Sequence, residues 1–150
     1  MEESALAKQV ADDLKGIITA SVNCIREGNY LTAHEYLNQA LSLTELIDYH
    51  VGSAMVLHNL ANLYALTGDS IEALKTAALA LEKAQISSAE VQPYQKLVRF
   101  FYLTVQKEGV DYVKSKDYPQ ALNSFEASLP YAPQEKKTWL EKQIALLRRM

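Results

Sequence analysis

The sequence predicts an all-α fold built from repeated helix pairs, and three observations predict it. Glycine (5) and proline (4) are scarce in the 150-residue chain, while strong helix formers are common. Apolar residues recur at spacings of three and four through most of the sequence. A turn pattern also occurs three times: Gly28-Asn29-Tyr30-Leu31-Thr32-Ala33, Gly68-Asp69-Ser70-Ile71-Glu72-Ala73 and Lys116-Asp117-Tyr118-Pro119-Gln120-Ala121. Each copy follows one apolar helical run and opens another, which closes on Ala40-Leu41, Ala80-Leu81 or Ser128-Leu129. A helix pair of this size cannot bury its apolar face alone, so the copies must stack.

The first helix is expected to start near Ser4, an N-cap with Glu2 and Glu3 beside it. Leu6, Val10, Leu14, Ile17, Ile18, Ser21, Cys24 and Ile25 form its apolar stripe, and Gly28-Asn29 ends it. The second helix runs from about Tyr30 to Leu46, with Tyr36, Leu37, Ala40 and Leu41 expected to face inward. After a short connection at Asp48-Tyr49, a third helix runs from about His50 to Leu66 and carries Val56, Leu57, Leu60, Ala61, Leu63 and Tyr64.

Gly68-Asp69-Ser70 stops that helix and starts a fourth, about 70–85. Its alanines (Ala73, Ala77, Ala78, Ala80, Ala84) place it at the tightest contacts. A long fifth helix is expected over 89–114, with Pro93 in its first turn and Leu97, Phe100, Phe101, Leu103 and Val105 making it apolar. The sixth runs over 118–129, ended by Pro130 and Pro133. The last, about 133–149, carries Trp139, Leu140, Ile144, Leu146 and Leu147 on one side.

Bulk properties narrow the function. Nearly half the residues are hydrophobic, enough for one sizeable core. The net charge is −3 and the pI about 5.6, without the clustered basic surface that a nucleic-acid partner requires. Cys24 is the single cysteine, so no internal disulfide forms and a reducing compartment is expected. No apolar stretch approaches the roughly 18 residues of a transmembrane segment. Met1-Glu2-Glu3-Ser4 lacks a signal-peptide layout, and a cytoplasmic location is expected.

His34, His50 and His58 fall on different helices, with no pair at metal-ligand spacing. No phosphate loop, catalytic carboxylate pair or Cys/His cluster occurs. The expectation is therefore a non-catalytic protein with no metal or cofactor. Nine tyrosines are many for this length, and Tyr94, Tyr102 and Tyr131 stand outside the repeated pattern.

The repeated units resemble tetratricopeptide repeats, a family of helix pairs of about 34 residues. Leu57, Leu60, Ala61 and Tyr64, followed by Gly68-Asp69, Ala73, Ala77 and Ala80, match one full unit. Val105, Gly109, Tyr112, Tyr118, Ala121, Phe125 and Pro133 match another, and Ile17, Ala20, Ser21, Cys24, Tyr30, Ala33, Leu37 and Ala40 a weaker one. The resemblance implies a right-handed superhelix of about three repeats, about 14–47, 54–87 and 102–135, in a single domain 1–150 with a capping helix over 133–149. Ser21, Ala61 and Gly109 are expected to permit close packing within a pair, and Ala33, Ala73 and Ala121 to sit where helices cross. Ala33 to Ala73 is 40 residues and Ala73 to Ala121 is 48, so residues around 47–53 and 88–101 extend the usual period.

The resemblance also implies a function: a scaffold or adaptor whose concave groove, lined by the first helix of each pair, binds a protein or peptide partner. The residues expected there are Lys15, Ile18, Val22 and Arg26, then Met55, His58, Asn62 and Leu66, then Leu103, Gln106, Val110, Val113 and Lys114. A carboxylate clamp known in the family needs a lysine and an asparagine where this chain has Ile18 and Val22, so that mode is not expected. An apolar floor with a polar rim suits an amphipathic helix or an extended apolar segment. The alternatives are a small dedicated chaperone or targeting adaptor that shields a client's apolar segment, and a self-associating scaffold (a homo-oligomer). The first or last helix of the chain itself is another candidate occupant of the groove.

Overall fold

The computed structural model describes residues 2–150. Among them, seven α-helices follow in order and no strand occurs: α1 (Glu2–Arg26), α2 (Tyr30–Leu46), α3 (His50–Leu66), α4 (Ser70–Ile86), α5 (Gln92–Lys114), α6 (Tyr118–Ser128) and α7 (Gln134–Arg148). A 3-10 turn, Leu129–Tyr131, joins the last two. Each helix packs on its neighbours in sequence, and α1–α3 and α4–α6 contacts tie successive pairs together. The architecture is the all-α repeat array that the sequence predicts.

One link chemistry recurs along the array. Each of the five links before α6 holds a residue in the left-handed region: Gly28 (φ 77), Asp48 (φ 53), Gly68 (φ 87), Ser88 (φ 57) and Lys116 (φ 64). The next residue's N–H then bonds to the carbonyl five positions back: Asn29 to Cys24, Tyr49 to Thr44, Asp69 to Tyr64, Ala89 to Ala84 and Asp117 to Tyr112, all at 2.8–3.1 Å. This six-to-one bond satisfies an otherwise orphaned helix-end carbonyl. Three of the links then restart with a side-chain cap, in which the Asn29, Asp69 and Asp117 side chains accept from the N–H of Thr32, Glu72 and Gln120. The N–H groups of Ala33, Ala73 and Ala121 donate to the carbonyls of those same three caps. All three alanines are fully buried, so they occupy equivalent crossings.

Lys116 stands where the other two repeat turns have glycine. A left-handed residue with a Cβ costs roughly 1–2 kcal/mol, partly offset in glycine by the entropy of its freer unfolded chain. Lys116→Gly is therefore expected to stabilise the protein by about 1 kcal/mol. Gly68→Ala is expected to destabilise it by a similar amount. Nothing lies within 4 Å of a Cβ built at Gly68, so that loss comes from the backbone alone. Urea denaturation of the two variants checks both signs.

The core has two lobes. In the first, Leu14, Ala33, Leu37 and Ala40 meet Val56, Leu57, Leu60, Leu63 and Ala80. In the second, Ala61, Ala73, Leu74 and Ala77 meet Phe101, Tyr102, Val105, Ala121, Phe125, Leu140 and Ile144. Tyr64 packs against both, and α3 and α4 contribute to both. The small residues act as expected: Ser21, Ala61 and Gly109 are buried, and Ala73, Ala77, Ala80 and Ala84 bring α4 closely onto α3. The buried hydroxyls of Ser53 and Thr44 are satisfied within the fold: Ser53 donates to Thr44 Oγ1 at 2.8 Å and Thr44 to the Leu41 carbonyl.

Several expectations need correction. The first helix includes Ser4 and begins by Glu2, and the capping role given to Ser4, Glu2 and Glu3 falls on side chains outside the described ones. Tyr36 faces outward, because the inward stripe of α2 is Ala33, Leu37, Ala40 and Thr44. Phe100, Leu6 and Leu146 are also exposed. Helix α5 starts at Gln92, since Ser88 and Ala89 close α4 rather than open the next helix. Helix α6 ends at Ser128, because Pro130 lacks the N–H that would continue the ladder.

Candidate functional site

Helices α1, α3 and α5 are the first members of the three pairs and carry the residues singled out in the sequence. On α1, Lys15 and Arg26 are exposed, Val22 is half-buried and Ile18 packs against the first core lobe. On α3, Asn62 and Leu66 are exposed, while Met55 and His58 are half-buried. On α5, Leu103 and Lys114 are exposed, Gln106 is half-buried, and Val110 and Val113 pack against the second lobe. The most open apolar positions of the set are thus Leu66 and Leu103, at 55% and 53%.

Two recesses lie along these helices. Met55 and His58 line the smaller, of about 240 Å³, with Asn59, Pro93 and Tyr94. There the His58 and Tyr94 rings meet edge to face at 5.7 Å, joining α3 to the start of α5. Leu103 and Gln106 line the larger, of about 510 Å³, which lies between α5, the C-terminal half of α4 and the start of α7. Gln95, Val98, Arg99 and Tyr102 complete its α5 wall, and Tyr131 and Lys136 close the far side. The other predicted site residues, Lys15, Ile18, Val22 and Arg26 on α1, Asn62 and Leu66 on α3, and Val110, Val113 and Lys114 on α5, line neither recess.

Sequence reasoning missed Arg99, Tyr102 and Tyr131 as site residues. One signal pointed to the two tyrosines but not to Arg99: Tyr94, Tyr102 and Tyr131 are the tyrosines without a place in the repeat, and each lines a recess. Tyr102 is only 2% exposed, yet its hydroxyl has no hydrogen-bond partner among the described residues, and neither has the buried Gln106 Oε1. Burial, and then the carboxylate of Glu135, push the Tyr102 phenol above its ordinary range, which keeps it a hydrogen-bond donor.

Burial lowers the pKa of His58 from the ordinary 6.5. Its imidazole therefore takes up a proton less readily in the folded than in the unfolded chain. The stability contribution is present above the unfolded value and is lost as pH falls through the folded one. The melting temperature is expected to fall between neutral and mildly acidic pH, and His58→Phe, which keeps a ring against Tyr94, is expected to flatten that dependence. Thermal melts across the range check it.

Among the described residues, no group of three His, Cys, Asp or Glu side chains is placed to hold a metal ion. Cys24 is free and packs against the first lobe. No helix is long and apolar enough to cross a membrane among the described residues. The surface offers shape, apolar contact and hydrogen-bonding groups, which is the chemistry of recognition.

Against known families, residues 20–85 match Tetratricopeptide repeat. The match spans α2, α3 and α4 with the end of α1. No curated protein matches the chain significantly.

Proposed function

From the membership of residues 20–85 in the tetratricopeptide repeat family, we propose that this protein is a non-catalytic scaffold or adaptor that holds a helical or extended apolar segment of a partner along α1, α3 and α5. The family points to protein partners, and its repeats are typically non-catalytic. The observation that carries the finer reading is the placement of open apolar positions and recesses on α3 and α5, with Leu66 exposed one turn from polar Asn62 on α3 and Leu103 exposed on α5. An apolar anchor inside a polar rim is how one protein grips another.

The packing of α7 on α6 and the 3-10 turn supports this reading, because it sets the last helix against the end of the array opposite α1. Peptides selected on the intact protein from a phage-displayed random library supply a binding probe. The double variant Leu66→Asp, Lys114→Glu is expected to weaken the selected peptides at least about tenfold. Both side chains are exposed, so helicity should be unchanged. Unchanged affinity would overturn the groove reading. Light scattering at several concentrations separates the adaptor from the self-associating scaffold, because only the latter grows in mass with concentration.

A further inference from the structure

Seven exposed cations stand in two rows on the outer two of the helices that carry the candidate site. On α5, Lys96, Arg99, Leu103, Lys107, Val110 and Lys114 follow one another at steps of three or four and so share one face. On α1, Lys8, Lys15, Ile18, Val22 and Arg26 keep one face in the same way. These are all the lysines and arginines of the two helices, and every one is exposed.

The rows are in register. The 88 residues that separate the buried crossings Ala33 and Ala121 also separate Lys8 from Lys96, Val22 from Val110 and Arg26 from Lys114. The ends of each row are 18 residues apart, about 27 Å of helix. Helix α3 lies between them: it packs on α1, and its His58 ring meets Tyr94 of α5. It carries no Asp, Glu, Lys or Arg.

The carboxylates of α1 and α5 do not neutralise the rows. Asp13 accepts from Gln9, and Glu108 accepts from Ser70 of α4. Asp12 and Asp111 stand beside the rows, yet among the described residues none of the seven cations has a carboxylate within 4.0 Å. Seven like charges at equivalent positions, in a chain of net charge −3, make a surface complementary to an anionic partner. The uncharged floor between them, with Leu66 open, adds apolar contact along the middle.

We infer that the partner segment is an acidic amphipathic helix, laid along α3 with its apolar stripe on that helix and its Asp and Glu residues, on both flanks, paired with the rows of α1 and α5. A helix is about 10–12 Å across, and α1 and α5 stand two helix spacings of about 8–10 Å apart, so one guest helix fits between the rows. A nucleic acid would meet the cations and leave the apolar floor unused. The inference rests on the reading of the protein as a peptide-binding module and adds the charge and form of the segment it takes.

Three blocked peptides of about 21 residues are the probes, each three copies of Leu-Xaa-Ala-Leu-Leu-Ala-Xaa with Xaa as Glu, Gln or Lys and the same uncharged solubilising tail. As helices they carry one leucine stripe with Xaa on both sides. Fluorescence anisotropy of the labelled peptide with the whole protein is the readout. The Glu peptide is expected to bind at least about tenfold tighter than the Gln peptide, and to lose that advantage as salt rises from about 50 to 500 mM. The Lys peptide is expected not to bind. Lys15→Glu with Arg26→Glu on α1, and separately Lys107→Glu with Lys114→Glu on α5, are each expected to weaken the Glu peptide at least about tenfold. Lys136→Glu with Lys142→Glu, the same charge change on α7, is expected to weaken it less than about twofold. All six positions are exposed.

Equal binding of the Glu and Gln peptides, or none by either, would overturn the inference. So would an equal loss in the α7 variant, or a loss confined to one row. A single-stranded oligonucleotide of about 20 nucleotides that bound tighter than the Glu peptide through the same rows would also overturn it. In each case, phage-selected peptides that still lost affinity on Leu66→Asp would leave the module reading standing.

Discussion

Phe125→Ala is expected to lower the free energy of unfolding by about 3–5 kcal/mol, a large fraction of the stability of a domain this size. The ring is 1% exposed and lies in the second core lobe. One side rests on Gly109 of α5 and another meets the Trp139 ring of α7 edge to face at 5.7 Å. It is therefore the side chain through which α5, α6 and α7 hold one another. Truncation removes buried area and leaves a void that three helices would have to collapse to fill. Urea denaturation followed by circular dichroism measures the change, and a loss under about 1 kcal/mol would contradict the packing described here.

Gly109→Val is expected to cost about 1–3 kcal/mol by the opposite mechanism, overpacking. A Cβ at position 109 would sit 2.7 Å from Phe125 Cε1 and 2.9 Å from its Cδ1. Neither helix can absorb this by a rotamer change, because the ring is already enclosed. Glycine in a helix interior is intrinsically unfavourable by about 1 kcal/mol relative to alanine, so its presence at the α5–α6 crossing reflects the space needed rather than helix propensity. In a Phe125→Leu background the same substitution should cost less, since the smaller side chain vacates the space that the new methyl groups need. Additive losses in that double-mutant cycle would mean that the two positions do not meet.

What was legible in the sequence was local and periodic. Gly28 and Gly68 announced left-handed turns, Asn29, Asp69 and Asp117 announced caps, and the alanine at each crossing could be placed by its offset from them. Lys116 broke the composition rule while adopting the same backbone, and its turn was still readable because Asp117 and Ala121 kept their spacing.

The errors fell where one residue's fate depends on another element. Tyr36 and Phe100 are apolar residues at plausible helical spacing, but no neighbouring helix covers enough of them to bury them. The α5 start was misplaced because Ser88 serves the end of α4, which only the six-to-one bond reveals. The larger recess was not legible as a whole. Its lining comes from α4, from α5 on both sides of the point where its repeat begins, and from the start of α7 with the turn before it. Spacing alone cannot say that three distant segments converge, although the tyrosines left over from the repeat pattern marked two of its residues.

The central claim is that a partner segment lies along α1, α3 and α5. Methyl NMR of the isotopically labelled protein, titrated with a phage-selected peptide, tests it most directly. Leu66, Leu103, Val22 and Met55 are expected to shift, whereas Leu31, Leu46 and Leu79, exposed on α2 and α4, should stay in place. Shifts concentrated at Leu31, Leu46 and Leu79, with Leu66 and Leu103 unmoved, would contradict it.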